Sequence, residues 1–224
     1  MSRARSIRMP SADDLDAVTI DAAGTLVELV DPVESLRQRL AGRDVDRTAA
    51  EVRAAFAAEV AYYVPRSDEG RDEAGLAELR RSAVAVFLEY LGAGLEPESF
   101  VDAFIRSIEF RAAEGAVAAL EALSAAGLEL ACVANWDTSL EPHLERAGVA
   151  RYFRTIVSSA EAGVPKPAAA IFHLELERLG VEPGRALHIG DDQVDRDGAR
   201  AAGLFSEPVP LATLPERLGL GRSA

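Results

Sequence analysis

Four polar side chains, far apart along the chain, are candidates for a shared site that handles phosphate and metal. Asp21 ends one short apolar run, and Asp191 closely follows another. Asp195 comes four residues after Asp191, and Lys166 lies between two prolines. Mg²⁺ accepts carboxylate oxygens as ligands, and a carboxylate can also attack phosphorus as a nucleophile. An ammonium group could neutralise the charge that spreads over phosphoryl oxygens in such a reaction.

Lys166 stands out by composition as well as by position. The 24 basic residues are 23 arginines and this single lysine. A coding bias toward arginine would explain the arginines, but it leaves the exception unexplained. The lysine ammonium is a compact point charge on a flexible stem, whereas a guanidinium is a planar fork, so the two do not substitute for each other. Lys166 is therefore a site candidate on composition alone.

Short apolar runs that end in polar residues or glycine turns predict strands of a buried sheet. The predicted strands are residues 17–21, 128–133, 155–157, 186–189 and, more weakly, 204–206. Between them, apolar residues recur at helical spacing and stop before Gly127, Gly148 and Gly180. This alternation indicates an α/β fold, a parallel sheet with helices on both faces. Ligands bind beyond the carboxyl ends of such strands, where the candidate side chains lie.

The stretch 31–113 breaks the alternation and is predicted to be entirely helical, with three or four helices. Thr48 and Glu51 make a capping-box pattern at the start of one of them. Three apolar stripes at helical spacing are interpreted as bundle core: Val52, Phe56, Val60 and Tyr63; Leu76, Leu79, Ala83, Val86 and Tyr90; and Phe100, Phe104 and Ile108. A bundle inserted after the first strand would lie above the strand ends, as a lid does.

These patterns divide the chain into two parts. Residues 1–30 and 114–224 are predicted to form the core, with residues 1–16 as a loose N-terminal extension. Residues 31–113 are predicted to form a helical cap. Near the end of the chain, one short helix is expected over 213–218.

Composition excludes several classes of protein. The chain has 224 residues, 49% of them hydrophobic, and a formal net charge of −13. Such an acidic balance argues against a nucleic-acid surface, and no run reaches the ~18 apolar residues of a membrane span. The single cysteine, Cys132, cannot form an internal disulfide and is expected in the core. We therefore expect a cytoplasmic protein, monomeric or homodimeric, with a small-molecule substrate and no nucleic-acid or membrane partner.

Four motifs, taken in order, resemble those of the haloacid dehalogenase-like superfamily. They are Asp-Ala-Ala-Gly-Thr-Leu over 21–26, Val-Ala-Asn over 133–135, Pro-Lys-Pro over 165–167, and Gly-Asp-Asp-Gln-Val-Asp over 190–195. The resemblance covers residues 17–206. A helical segment after the first motif is the arrangement of the family's C1-capped members. The resemblance thus implies a Rossmann-like core with an inserted α-helical cap.

The resemblance implies a Mg²⁺-dependent phosphatase of a small phosphorylated metabolite, acting through an aspartyl-phosphate. Asp21 would be the nucleophile, and Lys166 would neutralise its charge and that of the phosphoryl oxygens. The metal ligands would be Asp21, Asp191, the carbonyl of Ala23 and, directly or through water, Asp195. The remaining residues assigned to phosphate or substrate are Gly24 and Thr25, which would shape the turn that presents Asp21, together with Asn135, Arg66 and Arg71.

Two departures from the family pattern predict reduced activity. Ala23 occupies the position of the aspartate that protonates the leaving oxygen and activates water, a role that contributes ~10²–10⁴ in rate. Ala134 occupies the position of a hydroxyl donor to the phosphoryl group, and one such donor is worth ~10²–10³. Asn135, Thr138 or Ser139 could compensate for the second loss. Residues 62–72 could lend an acid, with Arg66 and Arg71 gripping an anionic substrate, or could simply form an exposed loop.

Alternative functions remain open at this point. Ala23 and Ala134 also fit an eroded, non-catalytic binding or scaffolding protein, although four charged groups are retained at one end of the sheet. A 2-haloacid dehalogenase lacks the second aspartate as well, but it attacks carbon without a metal and its fourth motif differs. Phosphonoacetaldehyde hydrolases need a cap lysine, which this chain lacks.

The remaining polar and aromatic residues of interest carry weaker predictions. His188 is predicted to be a buried, hydrogen-bonded core histidine. His143 and His173 have no partners at zinc-ligand spacing. Trp136 is expected near the mouth of the site, in contact with substrate or in simple packing.

Overall fold

A five-stranded parallel sheet forms the centre of the protein in the computed structural model, which describes residues 10–220. The strands of the chain are β1 (Ala17–Ile20), β2 (Val27–Leu29), β3 (Phe110–Ala112), β4 (Glu129–Ala134), β5 (Thr155–Ser158), β6 (Ala186–Ile189) and β7 (Phe205–Ser206). The sheet has the order β5-β4-β1-β6-β7, and each neighbouring pair is parallel. The α/β fold class expected from the sequence is confirmed.

Helices cover both faces of the sheet and also form a separate bundle. They are α1 (Val33–Ala41), α2 (Ala49–Tyr63), α3 (Glu73–Leu91), α4 (Pro97–Ile105), α5 (Ala116–Ala125), α6 (Leu140–Arg146), α7 (Ser159–Ala162), α8 (Ala169–Leu179), α9 (Gln193–Ala201) and α10 (Leu214–Arg217). On one face, Val18 and Ile20 of β1 belong to the same core as α5 and α6. On the other face, Ala17 belongs to a core shared with α8 and α9. Both cores arise because successive strand residues point to opposite faces.

Helices α1 to α4 form the bundle, which is inserted between β2 and β3. Its core centres on Phe87, whose ring is stacked with Phe100 at 6.1 Å and meets Phe104 edge-on at 5.0 Å. At the start of α2, Thr48 Oγ1 accepts from the backbone N–H of Glu51 at 3.3 Å, and the Glu51 carboxylate accepts from the Thr48 N–H at 2.8 Å. The capping box predicted from the sequence is therefore present.

The insertion differs from the sequence prediction in its connections and in its buried faces. Residues 31–113 are not entirely helical, because β3 pairs antiparallel with β2 and joins the bundle to the sheet. On α3, Leu79 and Ala83 of the predicted stripe are buried, whereas Tyr90 is 59% exposed. The buried face continues instead through Val84, Phe87 and Leu88.

The two ends of the described chain pack against the sheet domain. Residues 10–16, predicted to be loose, are anchored by the N–H of Ala12 to the carbonyl of Leu218 at 3.2 Å and by the N–H of Asp16 to the carbonyl of Arg185 at 2.8 Å. Residues 1–9 of that predicted extension lie outside the described residues. Within residues 10–220, no helix combines the length and the apolar character that a membrane crossing requires.

Candidate active site

Lys166 lies at the carboxyl end of the sheet and joins two of the predicted acidic residues. Asp21 follows β1 directly, and its N–H donates to the carbonyl of Ile189 at the end of β6 at 2.9 Å. The Lys166 Nζ donates to Asp21 Oδ1 and to Asp195 Oδ1, each at 2.5 Å, and to the carbonyl of Val133 at 3.1 Å. The Lys166 side chain is only 3% exposed. An ammonium therefore bridges two buried carboxylates at this end of the sheet.

The charges of this cluster depend on one another. Burial raises the pKa of Asp21 to about 6, against the opposing charge of Lys166. Burial alone would lower the pKa of Lys166, but Asp21 and Asp195 outweigh it and raise that pKa. Burial also opposes ionisation of Asp195, yet the hydrogen bond from His188 and the charge of Lys166 lower its pKa to about 2. At neutral pH, the cluster holds a charged lysine between carboxylates that are largely ionised.

A third carboxylate completes an oxygen-rich group that could hold a metal ion. Asp21, Asp191 and Asp195 each offer a carboxylate oxygen, and these atoms lie within 4.8 Å of one another. Both oxygens of Asp195 already accept hydrogen bonds, Oδ1 from Lys166 and Oδ2 from the N–H of Asp192 at 3.2 Å. Asp191 is exposed and open. Hard carboxylate oxygens fit Mg²⁺ and similar cations.

The turn after Asp21 brings the backbone close to Asp191. Gly24 has a φ of +82°, and a Cβ at this position would lie 2.8 Å from Asp191 Oδ2. Only glycine adopts this conformation readily and leaves room for the carboxylate. Thr25 Oγ1 donates to Asp191 Oδ1 at a long 3.4 Å, and Ala23 lies exposed beside Asp21. Gly24 and Thr25 thus position a carboxylate of the acidic group.

Asn135 holds the backbone of Lys166. Its Oδ1 accepts from the Lys166 N–H at 2.7 Å, and its Nδ2 donates to the Lys166 carbonyl at 3.1 Å. Asn135 was predicted to bind phosphate, and its side chain does line the cavity described next. Its amide is nevertheless engaged with Lys166, so its position in the structure is that of a clamp for the lysine segment.

A cavity of about 460 Å³ opens over the site, between the bundle and the sheet. Its polar end contains Asp21, Ala23, Asn135, Lys166 and Asp195. Its walls are mostly apolar and come from Leu29, Phe56, Val60, Val64, Phe104, Ile105, Ile108, Phe110 and Trp136. Much of the apolar stripe that the sequence assigned to the α2 core therefore faces this cavity.

The predicted polar segment 62–72 docks onto the sheet domain. The Tyr63 hydroxyl donates to Asp137, the Ser159 hydroxyl donates to Asp68, and the N–H of Thr138 donates to the carbonyl of Gly70 at 3.1 Å. The segment is therefore a contact between the bundle and the sheet domain, and not a free loop.

Arg66 and Arg71, predicted to grip the substrate, are not among the residues that line this cavity. The Arg66 guanidinium lies 4.2 Å from the Tyr62 ring centroid and donates to the Tyr62 carbonyl at 2.8 Å. Arg71 Nε donates to the Asp68 carbonyl at 2.9 Å. Each arginine is bound to its own segment, so the structure brings neither to the acidic group.

Two charged residues that the sequence analysis missed do line the cavity. Glu59 on α2 is 6% exposed, and burial raises its pKa to about 7. Arg80 on α3 has its Nε buried without a hydrogen-bond partner among the described residues. Glu59 lies three residues after Phe56, and Arg80 lies four after Leu76, so each interrupts an apolar stripe. A charge on an apolar face was the signal that could have identified them.

His188 supports the acidic group from within the sheet. It is fully buried, with Nδ1 at 2.7 Å from the Thr19 hydroxyl and Nε2 at 3.3 Å from Asp195 Oδ1. Burial lowers the pKa of His188 to about 4, so the ring is neutral at neutral pH. It is the hydrogen-bonded core histidine that the sequence predicted, and Cys132 is likewise buried.

Comparison with known proteins establishes the family. Residues 15–203 match the haloacid dehalogenase-like hydrolase family, and the chain belongs to it. The chain is 46% identical to haloacid dehalogenase-like hydrolase domain-containing protein 3 of Bos taurus over 94 residues, which are 42% of this chain and 38% of that protein. It is 38% identical to the ribulose-1,5-bisphosphate 5-phosphatase of Halopiger xanaduensis over 87 residues, 38% of this chain and 36% of that protein. Phosphatases are therefore among its relatives, although each match spans well under half of the relative.

Solved structures share the fold across more of the chain. A phosphatase of this family from Thermococcus onnurineus has a TM-score of 0.60 at 22% identity, covering 93% of this chain and 100% of that one. A 2-haloacid dehalogenase from Pseudomonas syringae has a TM-score of 0.62 at 22% identity, covering 92% of this chain and 98% of that one. The same fold thus accommodates both chemistries, and the side chains at the site must distinguish them.

Proposed function

We propose that this protein is a Mg²⁺-dependent phosphatase that hydrolyses a small phosphorylated metabolite through an aspartyl-phosphate at Asp21. The observation that carries the proposal is the group of three carboxylates within 4.8 Å of one another, with the Lys166 ammonium 2.5 Å from two of them. A metal-free attack on carbon does not need the open third carboxylate of Asp191. The phosphatase among the relatives supports the same choice.

The chain's own residues account for the first half of the reaction. The ionised Asp21 carboxylate attacks phosphorus in line, so that an Asp21 O–P bond forms as the ester P–O bond breaks. Lys166 stays protonated and offsets the negative charge of the nucleophile and the phosphoryl oxygens.

In the second half of the reaction, water hydrolyses the aspartyl-phosphate and restores the carboxylate. The ion would be held by Asp21, Asp191 and the Ala23 carbonyl, with Asp195 reaching it through water, and it would screen the repulsion between carboxylate and phosphate.

The leaving oxygen needs a proton that Ala23 cannot donate. Glu59 is suited to donate this proton because it is buried in the wall of the same cavity and burial raises its pKa to about 7. A donor is most useful when its pKa lies near the operating pH, since the protonated form is then both populated and acidic enough. We therefore assign protonation of the leaving group to Glu59.

The test compares an aryl phosphate, whose leaving group needs little protonation, with an alkyl phosphate, whose leaving group needs a proton. Asp21→Asn should abolish hydrolysis of both in the presence of Mg²⁺. Glu59→Gln should keep the aryl activity and lower the alkyl kcat by ~10²-fold or more. Glu89→Gln, the same change at an exposed position of the bundle, should behave as wild type.

Two outcomes would overturn the proposal. Mg²⁺ binding by wild type without turnover of either ester would indicate a binding protein. Hydrolysis of a chloroacid without metal would indicate a dehalogenase.

A further inference from the structure

Arg80 brings an unpartnered positive charge to the cavity. It lies on α3, lines the cavity, and its Nε is buried without a hydrogen-bond partner. Within residues 10–220, no side chain or carbonyl pairs with its guanidinium. Its neighbour Arg81 is instead bound to Glu78 at 2.5 Å and to Glu98 at 3.5 Å on the exposed side of the helix. Arg80 therefore differs from Arg81 in facing a cavity with its donors unused.

The surroundings of Arg80 do not neutralise it. Burial lowers the pKa of Arg80, and the nearby charge of Arg146 lowers it further. Glu59 lines the same cavity, yet burial alone accounts for its raised pKa, so the two charges are not paired. A half-buried guanidinium without a counter-charge from the protein is unfavourable. An anion bound there would relieve this cost.

His143 also lines this cavity and brings a second donor to it. Its Nδ1 lies 2.8 Å from Arg146 Nη2, and an arginine can only donate, so Nδ1 accepts. Burial and the charges of Arg146 and Arg80 lower the pKa of His143 to about 4, which keeps the ring neutral. The neutral ring must then carry its proton on Nε2, and no described residue accepts it. Contacts with Phe110 at 5.1 Å and Trp136 at 5.7 Å hold the ring in the cavity wall.

We propose that Arg80 and the Nε2–H of His143 form a second anion subsite, which binds a carboxylate or a second phosphate at the far end of the substrate. The inference rests on the proposed phosphatase function and specifies its substrate class. Asp21 and Lys166 take the phosphate ester, the apolar walls take an aryl or alkyl body, and Arg80 takes the distal anion. A monophosphate with a neutral far end would leave the guanidinium unpaired and would bind less well.

The test uses three aryl phosphates that differ only in the group at the far end of an ethyl side chain. The first ends in a carboxylate, the second in the primary amide, and the third in a phosphonate, which presents a phosphate-like anion that the enzyme cannot hydrolyse. Wild type should prefer an anionic end over the amide by about tenfold to a hundredfold in kcat/KM, the range expected of a charged hydrogen bond. The ratio of kcat/KM for the carboxylate ester to kcat/KM for the phosphonate ester identifies which anion the subsite accepts better.

Variants then connect the preference to Arg80. Arg80→Met should lower kcat/KM for the two anionic esters, so that the ratio of kcat/KM for an anionic ester to kcat/KM for the amide ester falls close to one. Arg80→Lys should retain part of the preference, and Arg81→Met is the matched control that should change nothing.

The outcomes separate the two proposals. If wild type hydrolyses all three esters equally well, the subsite is wrong and the phosphatase stands. If wild type hydrolyses none of them, the phosphatase itself fails. This comparison within wild type decides the question even if Arg80→Met does not fold.

Discussion

Replacing Lys166 by methionine should destabilise the protein strongly and in a pH-dependent way. The Nζ lies 2.5 Å from Asp21 and from Asp195, in a side chain that is 3% exposed. Methionine keeps most of the side-chain volume, so the main loss is the charge. Removing one partner from a buried ionic cluster leaves the other charges uncompensated and costs about 3–5 kcal/mol of unfolding free energy. We expect a loss in this range at pH 8.

Protonation of Asp21 should reduce the loss at lower pH. The folded pKa of Asp21 is already raised to about 6 from 3.8. Without the ammonium, it should rise further. A carboxylate with a raised folded pKa binds a proton more tightly in the native state, so stability falls as pH rises through the interval between the unfolded and folded pKa values. In the variant this interval extends above pH 6. The variant should therefore lose more stability at pH 8 than at pH 5.

The assay is urea denaturation of both proteins at pH 5 and pH 8 with a chelator present. Arg185→Met is the control, because Arg185 pairs with Asp16 at 2.5 Å on the surface and should contribute little. A loss below about 1 kcal/mol at pH 8, or an equal loss at both pH values, would refute the view that the ammonium holds the two carboxylates together.

Two further substitutions probe the same region. Gly24→Ala should lower stability by about 1–2 kcal/mol, because φ is +82° and the new Cβ would lie 2.8 Å from Asp191 Oδ2. It should also reduce kcat, and an unchanged melting temperature and kcat would contradict the role of this turn. Glu175 is fully buried and burial raises its pKa to about 8 from 4.5, so its ionisation should cost stability as pH rises between these values. Glu175→Gln should therefore be stabilised relative to wild type at pH 8, by about 1–3 kcal/mol, and much less at pH 5; no difference between the two pH values in urea denaturation would contradict this.

The sheet and the acidic group could be predicted because their signals are local in sequence. A buried strand is a continuous apolar run, and the residue after it must lie at the strand end. Parallel strands place all such residues at one edge of the sheet, and Asp21 and Asp191 lie close together there because β1 and β6 are neighbouring strands. No strand directly precedes Lys166, so its place in the site could not be predicted in this way. It was identified because it is the one lysine of the chain.

The contents of the cavity could not be predicted in this way. Apolar residues that fill a bundle and apolar residues that line a cavity have the same helical spacing. Val60 was therefore assigned to the core, although it is 37% exposed and lines the cavity. Phe56 packs against the bundle core as predicted and lines the cavity as well. Arg66 and Arg71 were chosen for their position in a polar segment, yet their guanidinium groups bind nearby carbonyls.

The sequence by itself determined the fold class, the family and the three carboxylates with their lysine, since each depends on residue type and on order along the chain. Only the tertiary structure decided the role of Asn135 as a clamp and the presence of Glu59 and Arg80 in the cavity wall. The reason is geometric: a side chain's partners depend on which other helix or loop packs against it, and that packing brings together residues whose separation in sequence carries no signal of contact.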